Sequence, residues 1–127
     1  MRFCCAMLYV KDFSRMRAFY SELFGAEAVN TEWTDTWARF DVGGTSFALH
    51  AIPPDIAREV QVSPIPREKS PTKFIFQVDN VVEERRRLES LKIPTIQRPW
   101  QDPEESFEAV DPEGNIFQIS ARIRDQI

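Results

Sequence analysis

The sequence predicts an α+β fold of two tandem βαβββ modules, and three observations predict it. Residues 8–25 (LYVKDFSRMRAFYSELFG) read as a strand running into an amphipathic helix. Residues 76–93 (FQVDNVVEERRRLESLKI) repeat that pattern 68 positions later, aligning Val10 with Val78, Asp12 with Asn80 and Leu23 with Leu91. The ends of the halves also match, since residues 43–50 (GGTSFALH) and 113–120 (EGNIFQIS) correspond at an offset of 70. Between them, residues 53–71 hold five of the nine prolines and read as a linker with room for one helical turn.

Each element has a local cause. Residues 3–10 form a mostly apolar strand, after which Asp12 offers a carboxylate to the exposed N–H groups of a helix start. Phe13, Met16, Phe19, Tyr20, Leu23 and Phe24 follow the i, i+3, i+4 rhythm of a buried stripe, and Gly25 supplies the left-handed residue that ends the helix. Strands are expected near 27–33, 36–42 and 46–51, with Gly43-Gly44 as the hairpin between the last two. The second half opens with a strand at 72–78. Asn80 caps a helix over 81–92, with Glu83 completing a capping box, and Pro94 closes it. Strands near 95–98, 105–110 and 115–121 follow, the last two joined by a turn at Asp111-Pro112-Glu113-Gly114-Asn115.

Composition narrows the partners. At 127 residues the chain supports one compact domain, and its net charge of −4 lacks the basic excess that nucleic-acid binding needs. Arg85-Arg86-Arg87 is balanced by Glu83, Glu84 and Glu89, as on a solvated helix face. No apolar run approaches the ~18 residues of a membrane span. The two cysteines, Cys4 and Cys5, are adjacent, which suits a reducing compartment and a cytoplasmic location. His50 is the only histidine, so no site in one chain has two imidazole ligands.

Four matches in chain order carry a family likeness: Tyr9-Val10-Lys11-Asp12, Phe19-Tyr20 through Gly25, Phe76-Gln77-Val78-Asp79, and Asp111-Pro112-Glu113-Gly114-Asn115. With the duplication, the chain resembles the vicinal oxygen chelate superfamily of glyoxalases, bleomycin-resistance proteins and extradiol dioxygenases. The resemblance implies a single domain over residues 1–127 (module 1, 1–52; linker, 53–71; module 2, 72–127). Its curved mixed sheet would surround a cavity for a small-molecule ligand, and its members are commonly homodimers. Metal enzymes of that superfamily draw ligands from four strand positions, which by the resemblance fall here on Cys5, Ala48, Lys73 and Gln118. Alanine has no donor atom, lysine carries a charge that repels a cation, and one amide oxygen does not hold a metal. A shifted set of Cys5, His50 and Gln118 is the alternative.

Strand alternation extends the cavity face from those positions. Met7 and Tyr9 share a face with Cys5, Ile75 and Gln77 with Lys73, and Ile116 and Ser120 with Gln118. Trp37, Arg39 and Asp41 lie opposite the helix-packed Ala38, Phe40 and Val42, while Trp33, Trp100 and Glu108 are candidates for the rim or interior. The expected ligand-binding set is therefore Cys5, Met7, Tyr9, Trp37, Arg39, His50, Lys73 and Gln118. Each also has a structural reading: Cys5 as a small buried hydrophobe, His50 as a bonded core residue, the tryptophans as interface contacts, and Lys73 in an ion pair with Glu108 or Asp41.

Three functional readings follow. One is a binding protein that needs no metal or other cofactor and takes a small, partly aromatic or anionic molecule by stacking and charge. The alternative is a metal-dependent lyase, isomerase or dioxygenase using Cys5, His50 and Gln118. A metal-free enzyme with His50 as general base and Lys73 as electrostatic stabiliser is a third reading.

Overall fold

In the computed structural model, which describes residues 1–122, β1 (Cys5–Val10) leads through α1 (Phe13–Phe24) to a hairpin of β2 (Trp37–Val42) and β3 (Thr45–Ala51). The chain divides into two compact units, the first Met1–Val62 and the second from Ser63 on. The division falls inside the expected linker, and the last five residues of the expected second module lie outside the described residues. In the first unit the strand order is β1-β3-β2, with β1 parallel and β2 antiparallel to β3.

The caps are those the residue types dictate. Asp12 accepts a hydrogen bond from Arg15 N, and Gly25 ends α1 at φ +65°. Gly43 and Gly44 both take positive φ in the hairpin. Met16, Tyr20 and Leu23 bury the α1 stripe. Tyr20 and Phe24 set their rings 5.0 and 5.6 Å from Phe47, above Val10, Ala38, Phe40 and Leu49.

The strand expected at 27–33 does not form. One backbone bond remains, Val29 N to Arg39 O at 2.7 Å. The Asn30 amide takes over the rest, accepting from Arg39 N at 3.0 Å and donating to Trp37 O at 2.8 Å. A side chain thus satisfies the β2 edge and blunts it against further pairing. Trp33 then turns the chain at φ +53°, its carbonyl accepting from Thr36 N and Trp37 N.

α2 (Pro54–Ala57) is the helical turn in the linker, and Lys11 Nζ holds the following segment through Val60 O at 2.6 Å. In the second unit β4 (Phe74–Gln77) leads through α3 (Val81–Ser90) to β5 (Thr95–Ile96), β6 (Ser106–Val110) and β7 (Ile116–Ser120). The order β4-β7-β6-β5 repeats β1-β3-β2 and adds an edge strand where the first unit has its Asn30 clamp. Asn80 accepts from Glu83 N at the α3 start. The arginine run is less solvated than its charge balance suggests, since the Arg85 guanidinium lies 4.8 Å from the Phe107 ring centroid and donates to Gln97.

Beyond α3, Lys92 takes φ +63°, the left-handed part that Gly25 plays after α1, and Ile93 N bonds back to Leu88 O. A left-handed L-residue carries a strain of about 1 kcal/mol, so Lys92→Gly is expected to raise stability by up to about 1 kcal/mol in urea unfolding. A loss would mean that the lysine side chain holds the helix end.

The turn at Asp111–Asn115 is held by a dense set of hydrogen bonds. Buried Asp111 Oδ1 accepts from Glu113 N at 2.9 Å and Asn115 N at 3.0 Å, and both its oxygens accept from the Asn115 amide. Gly114, at φ +86°, lets residues 63–67 lie directly across the turn. A Cβ at this position would sit 2.4 Å from Ile65 O and 2.5 Å from Ser63 O. Arg67 fastens this strap through its N to Gly114 O at 2.9 Å and its Nε to Glu113 O at 3.0 Å.

Candidate functional site

Register arranges the face of the first sheet away from α1 in three rows. Cys5, Ser46 and Asp41 form one, Met7, Ala48 and Arg39 the next, and Tyr9, His50 and Trp37 the third. The third row is aromatic. The Tyr9 and His50 rings stack with centroids 5.4 Å apart, and Trp37 meets His50 edge-on at 5.7 Å. Tyr9 remains 57% exposed, so the row is a surface platform with His50 at its centre. Beside it Arg39 Nη1 donates to Asp41 at 3.0 Å and to Ser46 Oγ at 3.2 Å.

The same register separates two residues that alternation alone put together. Cys5 pairs with Ser46 and Tyr9 with His50, so Cys5 and His50 are four residues apart along the strands, or ~13 Å. A metal set containing both Cys5 and His50 is therefore not assembled. Burial, reinforced by neighbouring Cys4 and opposed by Arg39, pushes the Cys5 thiol up, away from the thiolate that a metal or nucleophile needs. Its Sγ lies 3.3 Å from Ala6 O.

On the second sheet the corresponding face carries Ile75, Gln118, Glu108 and Ile96 in one row and Gln77, Ser120 and Ser106 in the next. Lys73 lies just before β4, its Nζ 2.5 Å from Glu108 Oε2. Arg98 Nε donates to Glu108 Oε1, and Arg98 Nη2 donates to both oxygens of Glu68, at 2.8 and 3.0 Å. Lys73 thus takes the Glu108 ion pair named among its readings. No sequence pattern marks Arg98 and Glu68, because the Arg98 partners Glu108 and Glu68 lie 10 and 30 positions away. Gln118 Nε2 donates to Ser120 Oγ at 2.8 Å.

Glu108 is 2% exposed. Burial pushes its carboxyl up, but hydrogen bonds and charge from Arg98 and Lys73 outweigh this and hold it below the ordinary value of 4.5. A carboxylate with a depressed folded-state pKa stabilises the fold above the unfolded value. That contribution is lost as pH falls from 4.5 through the lowered value. Acid titration of unfolding stability should show this loss, and Glu108→Gln should diminish it.

Two concavities among the described residues lie apart from the aromatic row. In the first unit a groove of about 890 Å³ runs between α1 and residues 25–35, past Arg17, Glu22 and Asp35, and contains none of the expected site residues. In the second a pocket of about 420 Å³ is lined by Lys73, Arg98, Glu108, Glu68, Ile116 and Trp100. Trp100 is 78% exposed, with the Arg98 guanidinium 6.0 Å from its ring centroid. Trp33 is also largely exposed and lines neither concavity.

The donor set does not fit a divalent cation. Ala48 is fully buried and has no donor, Lys73 is a cation paired to Glu108, and Gln118, whose Nε2 donates to Ser120, offers a single amide oxygen. Among the described residues no three His, Cys, Asp or Glu side chains come together as a metal site. No helix among them is long and apolar enough to cross a membrane.

Two units share a duplicated βαββ core with a helix between parallel strands, and β5 completes the second as βαβββ. The sequence model for the Glyoxalase/Bleomycin resistance protein/Dioxygenase superfamily matches residues 3–119, and the chain belongs to that superfamily. A solved structure of the fosfomycin resistance protein FosX from Listeria monocytogenes, complexed with Mn(II) and sulfate, is 20% identical with a TM-score of 0.69, over 97% of this chain and 90% of that one. Lactoylglutathione lyase from Agrobacterium tumefaciens is 27% identical with a TM-score of 0.67, over 94% and 92%. FosX from Mesorhizobium loti is 17% identical with a TM-score of 0.67, over 96% and 92%. No curated protein matches the chain.

Proposed function

We propose that this chain is a binding member of its superfamily with a degenerate metal site, taking a small, partly aromatic, anionic molecule without metal. One observation carries the reading. The row Tyr9–His50–Trp37 offers an aromatic platform beside the Arg39 guanidinium, on a face where the corresponding metal position is the donorless Ala48. A planar ring gains from stacking or edge-on packing on such a row, and a guanidinium two residues along β2 pairs with a carboxylate or similar group. Met7 and Cys5 extend the face with soft, apolar contacts.

Binding as the primary activity is also favoured over catalysis by the state of the candidate catalysts. Lys73 is committed to Glu108 and belongs to the second unit's own ion-pair chain, and His50 is packed between two aromatic rings. The reading treats residues 1–127 as one glyoxalase-like domain, working in the cytoplasm as a homodimer. Exposed Phe3, outside that face, is apolar surface that a second copy would cover, and light scattering measures the assembly.

A thermal-shift screen of small aromatic acids, followed by calorimetry, tests the binding. A hit should keep its Kd in excess chelator, and Trp37→Ala should weaken it about tenfold, the loss of roughly 1.4 kcal/mol of ring contact. Binding abolished by chelator, or a screen in which no hit is weakened by Trp37→Ala, would contradict the reading.

A further inference from the structure

The second unit contains a chain of charges that nothing in the first-sheet reading uses: Lys73, Glu108, Arg98 and Glu68 in sequence around the 420 Å³ pocket. Its two ends differ. Glu108 is buried and holds two cations by separate oxygens, Lys73 by Oε2 and Arg98 by Oε1, so it fixes both in place. Glu68 is an exposed side chain on the strap, and its carboxylate takes both hydrogen bonds from the outer nitrogen of Arg98. An exposed pair of this kind is weak and exchanges readily with other anions.

We propose that this pocket is a second binding site, for a small aromatic carboxylate, and that Glu68 occupies it as an internal stand-in for the ligand's carboxylate. Three cationic side chains, Arg67, Lys73 and Arg98, face two carboxylates in the lining, so the pocket carries positive charge even with Glu68 in place. Displacing Glu68 exposes the Arg98 fork, already oriented by Glu108, which matches a carboxylate in shape and charge. The Trp100 ring stands at the same guanidinium and supplies a stacking surface for the aromatic part of the ligand. Ile116 lines the pocket as an apolar contact.

The strap permits the exchange. Arg67, the residue before Glu68, is fastened to the Asp111–Asn115 turn through its backbone N and its Nε. The Glu68 side chain can leave Arg98 while that attachment holds, so opening the pocket requires a change of rotamer rather than movement of the backbone.

The inference is argued from the second unit alone and is separable from the first-sheet reading by variant. Benzoate is the probe, titrated by NMR with the Trp100 indole N–H and Arg98 Nε as reporters, against cyclohexanecarboxylate and inorganic phosphate. Benzoate should shift both reporters and bind more tightly than either comparison anion. Removing the internal competitor in Glu68→Gln, at an exposed position, should tighten benzoate by about fivefold, and Trp100→Ala should weaken it by about as much. Trp37→Ala should leave these shifts unchanged. Unaltered or weaker binding in Glu68→Gln would overturn the proposal, as would benzoate shifts that vanish in Trp37→Ala but persist in Trp100→Ala. Absence of binding to both wild type and Glu68→Gln would overturn it too.

Discussion

Gly114→Ala is expected to lower the stability of the protein by about 3 kcal/mol, the sum of a left-handed penalty and a direct steric conflict. The added Cβ would fall 2.4 and 2.5 Å from two backbone oxygens, Ile65 O and Ser63 O, neither of which can rotate away as a side chain would. Relief would require lifting the strap, which also breaks the bonds from Arg67 to Gly114 O and Glu113 O. Gly44 is the control. It has φ +87° and nothing within 4 Å of its Cβ position, so Gly44→Ala isolates the conformational part, about 1 kcal/mol. Urea unfolding of the two variants separates the terms, and equal losses would show that the strap does not rest on the turn. The strap is also the segment that carries Glu68 to Arg98.

The second large effect concerns Glu108. Replacing Lys73 and Arg98 together by methionine leaves a buried carboxylate without its cations, which should cost about 3–5 kcal/mol. The cost belongs to Glu108 rather than to the cations, which are partly exposed. Adding Glu108→Leu to the double variant should therefore restore most of the stability. That rescue distinguishes loss of charge compensation from loss of side-chain packing, and its failure would assign the effect to packing. Because the double variant's Glu108 retains burial as the dominant influence, its carboxyl should titrate above 4.5 instead of below, reversing the wild-type direction.

Much of the architecture was legible because it rests on local chemistry. Asp12, Asn80, Gly25 and Gly43-Gly44 mark ends and turns through their own backbone preferences, and each occupies the role its residue type suggests. The repeat carried the rest, since β1-β3-β2 and β4-β7-β6 are one pattern used twice. The strand expected at 27–33 was lost to a contact that periodicity does not encode, the Asn30 side chain standing in for a backbone ladder. Lys92 was illegible for a related reason, as a lysine gives no signal of a left-handed backbone.

The candidate site was legible by face but not by distance. Alternation correctly grouped Cys5, Met7, Tyr9, Ala48 and His50 on one side of their sheet, yet only the strand register separates Cys5 from His50 by two rows. Lys73 and Glu108 could be matched as an inward-facing pair, whereas Arg98 beyond the end of β5 and Glu68 in the linker are joined by folding alone. Such contacts between loops leave no pattern in sequence.

Belonging to a superfamily of metal enzymes and metal-free binders does not by itself choose between them, because the scaffold supports both. The choice lies in the four positions now occupied by Cys5, Ala48, Lys73 and Gln118, and a direct measurement of metal content decides it. Protein prepared without a histidine tag is equilibrated separately with excess zinc, manganese, nickel and ferrous iron, desalted, and analysed for bound metal. The donor set predicts less than about a tenth of an equivalent per chain for every metal, since among the described residues no three His, Cys, Asp or Glu side chains converge. One metal per chain, or one per two chains, lost on Gln118→Ala, would contradict the account.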